Sequence, residues 1–443
     1  MSAPAVPSVD RHADVRAALE DSVGVARRHL HLPDAGSLLV TLATVAANRA
    51  EGDPVWLLLV GPPGGGKTEV LGSLASLPDV HPAATITEAA LLSGTPKKEA
   101  ADDSRGGLLR KIGDFGIIVC KDFGSVLSMN RDARAAVLAG LREVYDGSWT
   151  RHVGTDGGRT LAWSGKIGLI AGCTPAIDSH HAVMGSMGER FVLFRLPAVD
   201  GDAQAARALE HLGTERVMRS ELAASAVRVL DNVDPADLTE PPTPDLRAWL
   251  IRTATLAVRC RSAVERDSHT REVELIPEAE APARLALVLL RLYNGLRAIG
   301  VGEAASRRLT SKAAMDSMPQ IRRSVLDAII GEPEPLATGV VAERIGYPTT
   351  TTRRACEDLA AHGVLVRHVG GQGRSDQWSP SAWTVDRWPT VPEMSEVENG
   401  NAGTVPEMSE VESLSAATVP SSLSLCIDDN KTGTVAAADE WSA

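Results

Sequence analysis

A chain of 443 residues is too long for one ordinary core, and at about 100–200 residues per domain it predicts two or three folded units. Hydrophobic residues at 44% and charged residues at 23% exclude a fibrous or wholly disordered chain, while five scattered cysteines (Cys120, Cys173, Cys260, Cys356, Cys426) exclude a disulfide framework or a zinc motif. No apolar run reaches about 18 residues and no basic-then-apolar leader opens the chain, so a cytoplasmic protein with no membrane partner is expected. The net charge of -12 does not exclude nucleic acid: from Thr390 onward ten acidic residues face only Lys431, which leaves -3 for the body.

Residues 1–50 predict helices, with apolar positions at helical spacing from Val15 to Leu19 and at Leu38, Leu39, Leu42 and Val45. Val55 to Val60 is an unbroken apolar run between Asp53-Pro54 and Gly61-Pro62, the pattern of a strand buried on both faces. Similar runs follow at Ala84 to Thr87, Phe115 to Cys120, Ile167 to Gly172 and Phe191 to Leu196, separated by helical patterns such as Val126 to Tyr145. Strands alternating with helices over 51–200 predict an α/β fold with a doubly wound parallel sheet. Over 201–318 strand signals vanish, and amphipathic segments (Ala203 to Leu212, Val217 to Leu230, Asp245 to Glu265, Pro282 to Ile299) predict an α-helical lid. Residues 319–389 have their own rhythm and read as a separate small domain. In 390–443, Thr390 to Glu398 recurs residue for residue from Thr404 to Glu412; two copies are too few for a solenoid, and this acidic tail is expected to be disordered, as a solvated linker or a duplicated docking peptide.

Gly61-Pro62-Pro63-Gly64-Gly65-Gly66-Lys67-Thr68 stands between the first strand and a helix predicted from Glu69 to Leu77. Glycines let main-chain amides converge on an anion, and the helix N-terminus adds a favourable dipole. Gly61 to Glu69 thus form a candidate cradle for ATP, with Lys67 on the β- and γ-phosphates and Thr68 on Mg²⁺. Asp122, closing the strand that ends at Cys120, is the candidate second metal partner, or else the cap of a helix starting near Ser125. Phe123 follows it where a glutamate usually polarises the attacking water. Glu88, after the run Ala84 to Thr87, is the preferred candidate base and Glu143 a weaker one; Glu88 as first-turn decoration of the next helix is the plain alternative.

The order of these motifs resembles the AAA+ ATPases over roughly residues 30–300, with a layout similar to the MCM-like type and to ATPases of phages and integrative elements. Cys173-Thr174 resembles sensor 1, which implies that Thr174 touches the γ-phosphate or the lytic water. Gly188-Glu189-Arg190-Phe191 resembles the arginine-finger segment, which implies that Arg190 completes a neighbouring subunit's site; the alternative is a surface arginine paired with Glu189. Glu280 to Leu285 resembles a sensor 2 helix with Arg284 facing the phosphates. The stretch Leu141 to Trp149, leading into Gly154 to Gly158, resembles a pre-sensor 1 hairpin in which Arg151, Arg159 and Lys166 would meet DNA, or else an ordinary hairpin with solvated charges. The resemblance implies a homo-oligomer, a hexameric ring.

Ile321 to Ile330, Thr338 to Ile345 and Thr350 to His362 predict three helices, followed by Val364 to Val369, a turn Gly370 to Arg374, and Gln377 to Val385. This resembles a winged helix of the bacterial regulator type. The resemblance implies groove contacts from Thr350, Thr351, Arg353 and Arg354, phosphate contacts from Arg367 and Arg374, and packing by Trp378, Trp383 and Trp388. Eight arginines balance eight acidic residues between Ile321 and Pro389, so a protein-docking role stays open beside DNA. Three functions follow: an ATP-hydrolysing DNA motor or remodeller for a mobile element, an ATP-responsive winged-helix transcription regulator, or a signalling or defence ATPase whose winged helix binds protein.

Overall fold

Every residue of Trp56–Val60 (β1) is buried, and the strand lies inside a five-stranded sheet as its unbroken apolar run predicts. The computed structural model describes residues 11–93, 107–153, 159–181, 190–198, 200–371 and 373–389; the predicted tail with its repeat, the tip 154–158, and Gly188 and Glu189 lie outside them. In chain order the further strands of the first half are β2 (Val80–Ala83), β3 (Phe115–Cys120), β4 (Ser148–Val153), β5 (Arg159–Ser164), β6 (Lys166–Cys173) and β7 (Phe191–Arg195). The sheet runs β2-β3-β6-β1-β7 with every pairing parallel, and β4 and β5 form an antiparallel hairpin outside it.

The second strand is Val80–Ala83 and not the predicted run from Ala84 to Thr87. Pro82 hid it, because a proline lacks a ladder donor and is tolerated only at a sheet edge, which is where β2 lies. Ile86 is buried and Thr87 caps the next helix, accepting a bond from the Ala90 amide at 3.0 Å. The predicted helix from Val126 to Tyr145 is interrupted, since Asn130 caps a new start by accepting from the Ala133 amide at 2.9 Å.

The helices of this half are α1 (Arg11–His29), α2 (Gly36–Arg49), α3 (Lys67–Gly72), α4 (Glu88–Leu91), α5 (Leu108–Ile112), α6 (Gly124–Leu127) and α7 (Arg131–Tyr145). The period-2 alternation of strands divides the sheet between two cores. Trp56, Leu58 and Val60 join Ile118, Leu169, Leu193 and the apolar side of α7, whereas Leu57 and Leu59 join α2 and the helices that follow the sheet. The helices after the sheet are α8 (Gly201–Glu210), α9 (Glu215–Asp231), α10 (Pro244–Arg261), α11 (Ala283–Ala298) and α12 (Glu303–Asp316), and all but α8, which has no buried residue, contribute to that second core. The predicted lid therefore shares a core with one face of the sheet. It also holds a short hairpin, β8 (Glu265–Arg266) with β9 (Val273–Leu275), where α10 was predicted to continue.

Helices α2 and α11 cross at Gly295, where an added Cβ would stand 2.3 Å from the Ala43 carbonyl oxygen. Alanine is the better helix former by about 1 kcal/mol, but here the backbones would have to separate. Gly295→Ala is expected to lower stability by about 1–3 kcal/mol. Urea unfolding checks this, and a midpoint equal to that of the wild type would contradict the close crossing.

At the C-terminal end, α13 (Gln320–Ile329), α14 (Thr338–Ile345) and α15 (Thr349–Ala361) follow the predicted bounds closely. Strands β10 (Leu336–Ala337), β11 (Leu365–His368) and β12 (Gln377–Pro380) form a sheet in the order β10-β12-β11, which completes a winged helix-turn-helix. The last strand stops short of Val385, because Ser381 caps a final helix, α16 (Ala382–Arg387), by accepting from the Thr384 amide at 3.2 Å. Trp378 is fully buried and donates its indole N–H to Thr338 Oγ1 at 2.8 Å. Its core also takes in Leu256 and Cys260 of α10 together with Met315 and Met318, so the winged helix is fused to the helical region. Among the described residues no helix is long and apolar enough to cross a membrane.

Candidate functional site

Gly61 to Thr68 join the end of β1 to α3. Gly64 and Gly66 hold φ of 77° and 82°, left-handed values that favour glycine, and a Cβ built on either meets nothing within 4 Å. Open space therefore lies beside both glycines. Lys67 is only 9% exposed, and its ammonium donates to the Gly61 and Pro62 carbonyls at 2.7 Å each. Burial lowers its pKa, opposed by the neighbouring Cys173 and Asp122. Within the loop the Gly65 and Gly66 amides donate to the Pro62 and Gly64 carbonyls at 3.1 and 2.8 Å, and the Glu69 and Val70 amides both return to the Gly66 carbonyl at 3.1 Å.

The neighbouring strand ends meet this loop. The Gly61 amide donates to the Cys173 carbonyl at 3.1 Å, which sets Thr174 beside the cradle, half-buried. Burial pushes the Cys173 thiol up to about 11, so it stays a neutral packing group. Asp122 follows β3, two strands from β1, and its Oδ1 accepts from the Gly124 amide at 2.9 Å. Asp122 therefore closes a turn just before α6, whose N-cap position is held by Phe123. Phe123 is fully buried and packs against Phe191 at 5.3 Å between ring centroids, which explains why no carboxylate follows Asp122. Thr68 is exposed at the mouth of the loop. No group of three or more His, Cys, Asp or Glu among the described residues is arranged to hold a metal ion.

Several expected site residues are engaged elsewhere. Glu69 is turned to Arg219 of α9, whose guanidinium meets it at 2.9 and 3.0 Å. Glu88 opens α4 and pairs with Arg151 Nε at 3.0 Å; its strand lies three steps from β1, roughly 14 Å at the usual strand spacing. Arg190 stands at the start of β7, away from its own P-loop, but its side chain is 6% exposed, bonded to Asp146 at 2.9 Å and set over the Tyr145 ring. It folds inward instead of projecting. Arg284 lies 3.4 Å from Glu280 and, with Arg291 and Arg190, is grouped around Tyr145, whose hydroxyl burial pushes up to about 12. Tyr145 packs edge-on against Trp56, the first residue of β1, so Arg284 sits at the opposite end of the sheet from the phosphate cradle. Glu143, on the last turn of α7 beside Tyr145, belongs to that same far end. Lys166 is half-buried against the Ala50 carbonyl, and burial draws its pKa down to about 8, so it is no channel contact. Arg151 is held by Glu88 and by the Leu92 carbonyl, and the Arg159 side chain lies outside the described residues.

Two partners of the loop come from the helical region. Gln204 donates to the Gly64 carbonyl at 2.8 Å, and Arg219 holds Glu69. They lie 140 and 150 residues away in sequence, with no local pattern to mark them.

In the winged helix, Thr350, Thr351 and Arg353 are exposed at the N-terminal half of α15, while Thr352 points into the core. Arg353 pairs with Glu357 one turn on at 3.2 Å. Arg354 is half-buried, and its backbone carbonyl accepts from Arg266 at 3.0 Å. Arg367 on the wing is tied to Asp376 at 2.6 Å, and Arg374 is exposed in the wing turn. Residues 324–368 match the IclR helix-turn-helix domain. The IclR-type match spans most of α13, all of α14 and α15, and the first wing strand. Such a module puts the N-terminal side chains of its second motif helix into the major groove, and the match supports a DNA-binding, regulatory role. A solved structure of a candidate ATPase from Cytophaga hutchinsonii is similar over 69% of this chain and 88% of its own, at 13% identity and a TM-score of 0.40. No curated protein matches the chain.

Proposed function

We propose that this protein is an ATP-responsive DNA-binding regulator: a magnesium-dependent P-loop ATPase whose nucleotide state sets how the IclR-type winged helix engages DNA. The observation that carries it is the shared core of α10, α12 and the winged helix, which leaves the DNA-reading half of α15 exposed but mechanically tied to the nucleotide-binding half. Lys67 and the first-turn amides of α3 would hold the β- and γ-phosphates, and Thr68 and Asp122 the magnesium ion. Bound ATP supplies the phosphoryl group whose loss to water resets the state. Thr174 would sense the terminal phosphate, and the bonds of Gln204 and Arg219 to the loop link it to α8 and α9. Thr350, Thr351 and Arg353 would read base edges, with Arg374 on phosphate.

The test is selection of duplex DNA by the full chain with Mg·ADP and with a non-hydrolysable ATP analogue. One sequence class is expected to be enriched, with affinities that differ between the two nucleotides by about fivefold or more. Equal, sequence-indifferent binding in both states would refute the regulator.

A second reading is a ring-forming AAA+ motor or remodeller serving a mobile element. The β4–β5 hairpin inserted between β3 and β6 in the chain favours it, as does the sheet order that sets β6 between the P-loop strand and the Asp122 strand. ATP-driven separation of a forked duplex would move the assignment there.

A further inference from the structure

The strand that brings Thr174 beside the cradle continues into a 3-10 turn, Pro175–His180, which holds Asp178. Asp178 accepts both terminal guanidinium nitrogens of Arg195, at 2.8 Å each, and also the Gln320 amide, at 2.9 Å. Arg195 is the register partner of Val60, the last residue before the P-loop, and Gln320 is the first residue of the winged helix. One carboxylate thus joins the end of the phosphate-facing strand, the strand flanking the P-loop, and the N-terminus of α13, 142 residues away.

The same arginine reaches further. Its Nε donates to the Asp316 carbonyl at 3.1 Å and Nη2 to the Met318 carbonyl at 3.0 Å, so it binds the link between α12 and α13 on both sides. Strand β7 is a sheet edge, and its outward amides are covered by that link: Leu193 donates to Ser317 Oγ at 3.0 Å and Arg195 to Asp316 Oδ2 at 2.8 Å. Lys312 adds a bond to Asp316 at 2.6 Å. Buried polar groups joined this way hold a fixed relative position, because any displacement leaves several of them unpaired at once. A shift of Thr174 toward or away from a terminal phosphate moves Asp178 four residues on, and through it the base of α13.

Resting on the regulator reading above, we propose that the Asp178–Arg195 pair, with Asp316 and Gln320, is the relay by which the nucleotide site positions the winged helix. Asp178 and Arg195 act as positioning residues and touch no nucleotide. The test is amide exchange of the full chain with Mg·ADP and with a non-hydrolysable ATP analogue, in the wild type, Asp178→Asn and Gln320→Pro. The proline variant removes the amide that Asp178 accepts, together with the Gln320 side-chain bond to Ser324 Oγ at 3.4 Å; it stands at a first helical position, where proline is favoured, and Pro319 already has the extended ψ of 136° that a following proline requires. In the wild type, nucleotide is expected to slow exchange both at 61–68 and at 320–329, and the two nucleotides are expected to differ at 320–329. In both variants the protection at 61–68 stays and the difference at 320–329 disappears, while the ratio of affinities for labelled random-sequence duplex DNA in the two states falls from about fivefold or more to near one. Protection at 61–68 with a silent 320–329 in the wild type overturns the relay alone, as does an unchanged ratio in both variants. Absence of protection at 61–68 in the wild type overturns the nucleotide reading, and the relay with it.

Discussion

Lys67→Ala is expected to lower phosphate release by on the order of 10²-fold or more, the usual consequence of deleting a preorganised cation from a site of developing negative charge. The ammonium is held by the Gly61 and Pro62 carbonyls, and on the proposed function it would exchange these two neutral acceptors for a phosphate. The two carbonyls lose their donor, so the midpoint of urea unfolding is measured alongside turnover. Nucleotide affinity is the second readout and should fall with turnover. A pH dependence follows from the same geometry. Burial places the lysine pKa below its ordinary value of 10.5, so the charge that attracts phosphate is lost at a lower pH than for an exposed lysine. Affinity for ADP should therefore decline on the alkaline side before an exposed lysine would titrate. Turnover indifferent to the Lys67 substitution would leave the P-loop without a nucleotide role.

The second large effect is expected at Arg322. Its side chain is buried on α13 and donates to the Cys260 and Ser262 carbonyls at 2.9 and 2.7 Å and to Asp358 at 3.1 Å. It satisfies carbonyls at the end of α10, which that helix cannot pair by itself, and ties them to the recognition helix α15. Arg322→Ala leaves both carbonyls buried without a donor. Breaking such a buried pair costs about 3–5 kcal/mol, out of a total stability of roughly 5–15 kcal/mol. The lower end of that range is expected, because Asp358 keeps Arg266 at a hydrogen-bonding distance. Unfolding followed by tryptophan fluorescence should show the loss, and limited proteolysis should cut between α10 and α13 first. Arg322→Lys keeps the charge but not the planar fork that reaches two carbonyls and a carboxylate together, so it should restore only part of the stability. An unchanged midpoint in Arg322→Ala would mean that the winged helix is not anchored through this residue.

Some of this was legible in the residues alone because it depends on a few neighbours. Gly64 and Gly66 adopt the left-handed backbone that their lack of a Cβ permits, and β1 is buried along its whole length, as its unbroken apolar run requires. The three helices of the winged helix follow local periodicity and stop signals, and their bounds agree with the expectation within a residue or two. The strand β2 was misplaced because Pro82 reads as a breaker unless the strand is known to lie at an edge.

The side-chain assignments that failed are those whose outcome rests on distant partners. Arg190 has the right motif around it, but Asp146 and the Tyr145 ring capture its charge. Arg284 lies on a suitable helix, but that helix packs along α2 with Arg284 at the wrong end of the sheet. Nothing near Gln204, Arg219 or Asp178 in the chain marks them, since each acts across more than a hundred residues.

By itself the sequence determined the glycine-rich turn between β1 and α3, the alternation of strands and helices, and the three helices at the C-terminal end, because backbone preference and hydrophobic period act over a single turn or strand. Only the tertiary structure decided which charged groups meet. An ion pair forms where folding leaves two side chains a few ångströms apart, and that distance depends on how whole layers pack, not on the residues beside either partner.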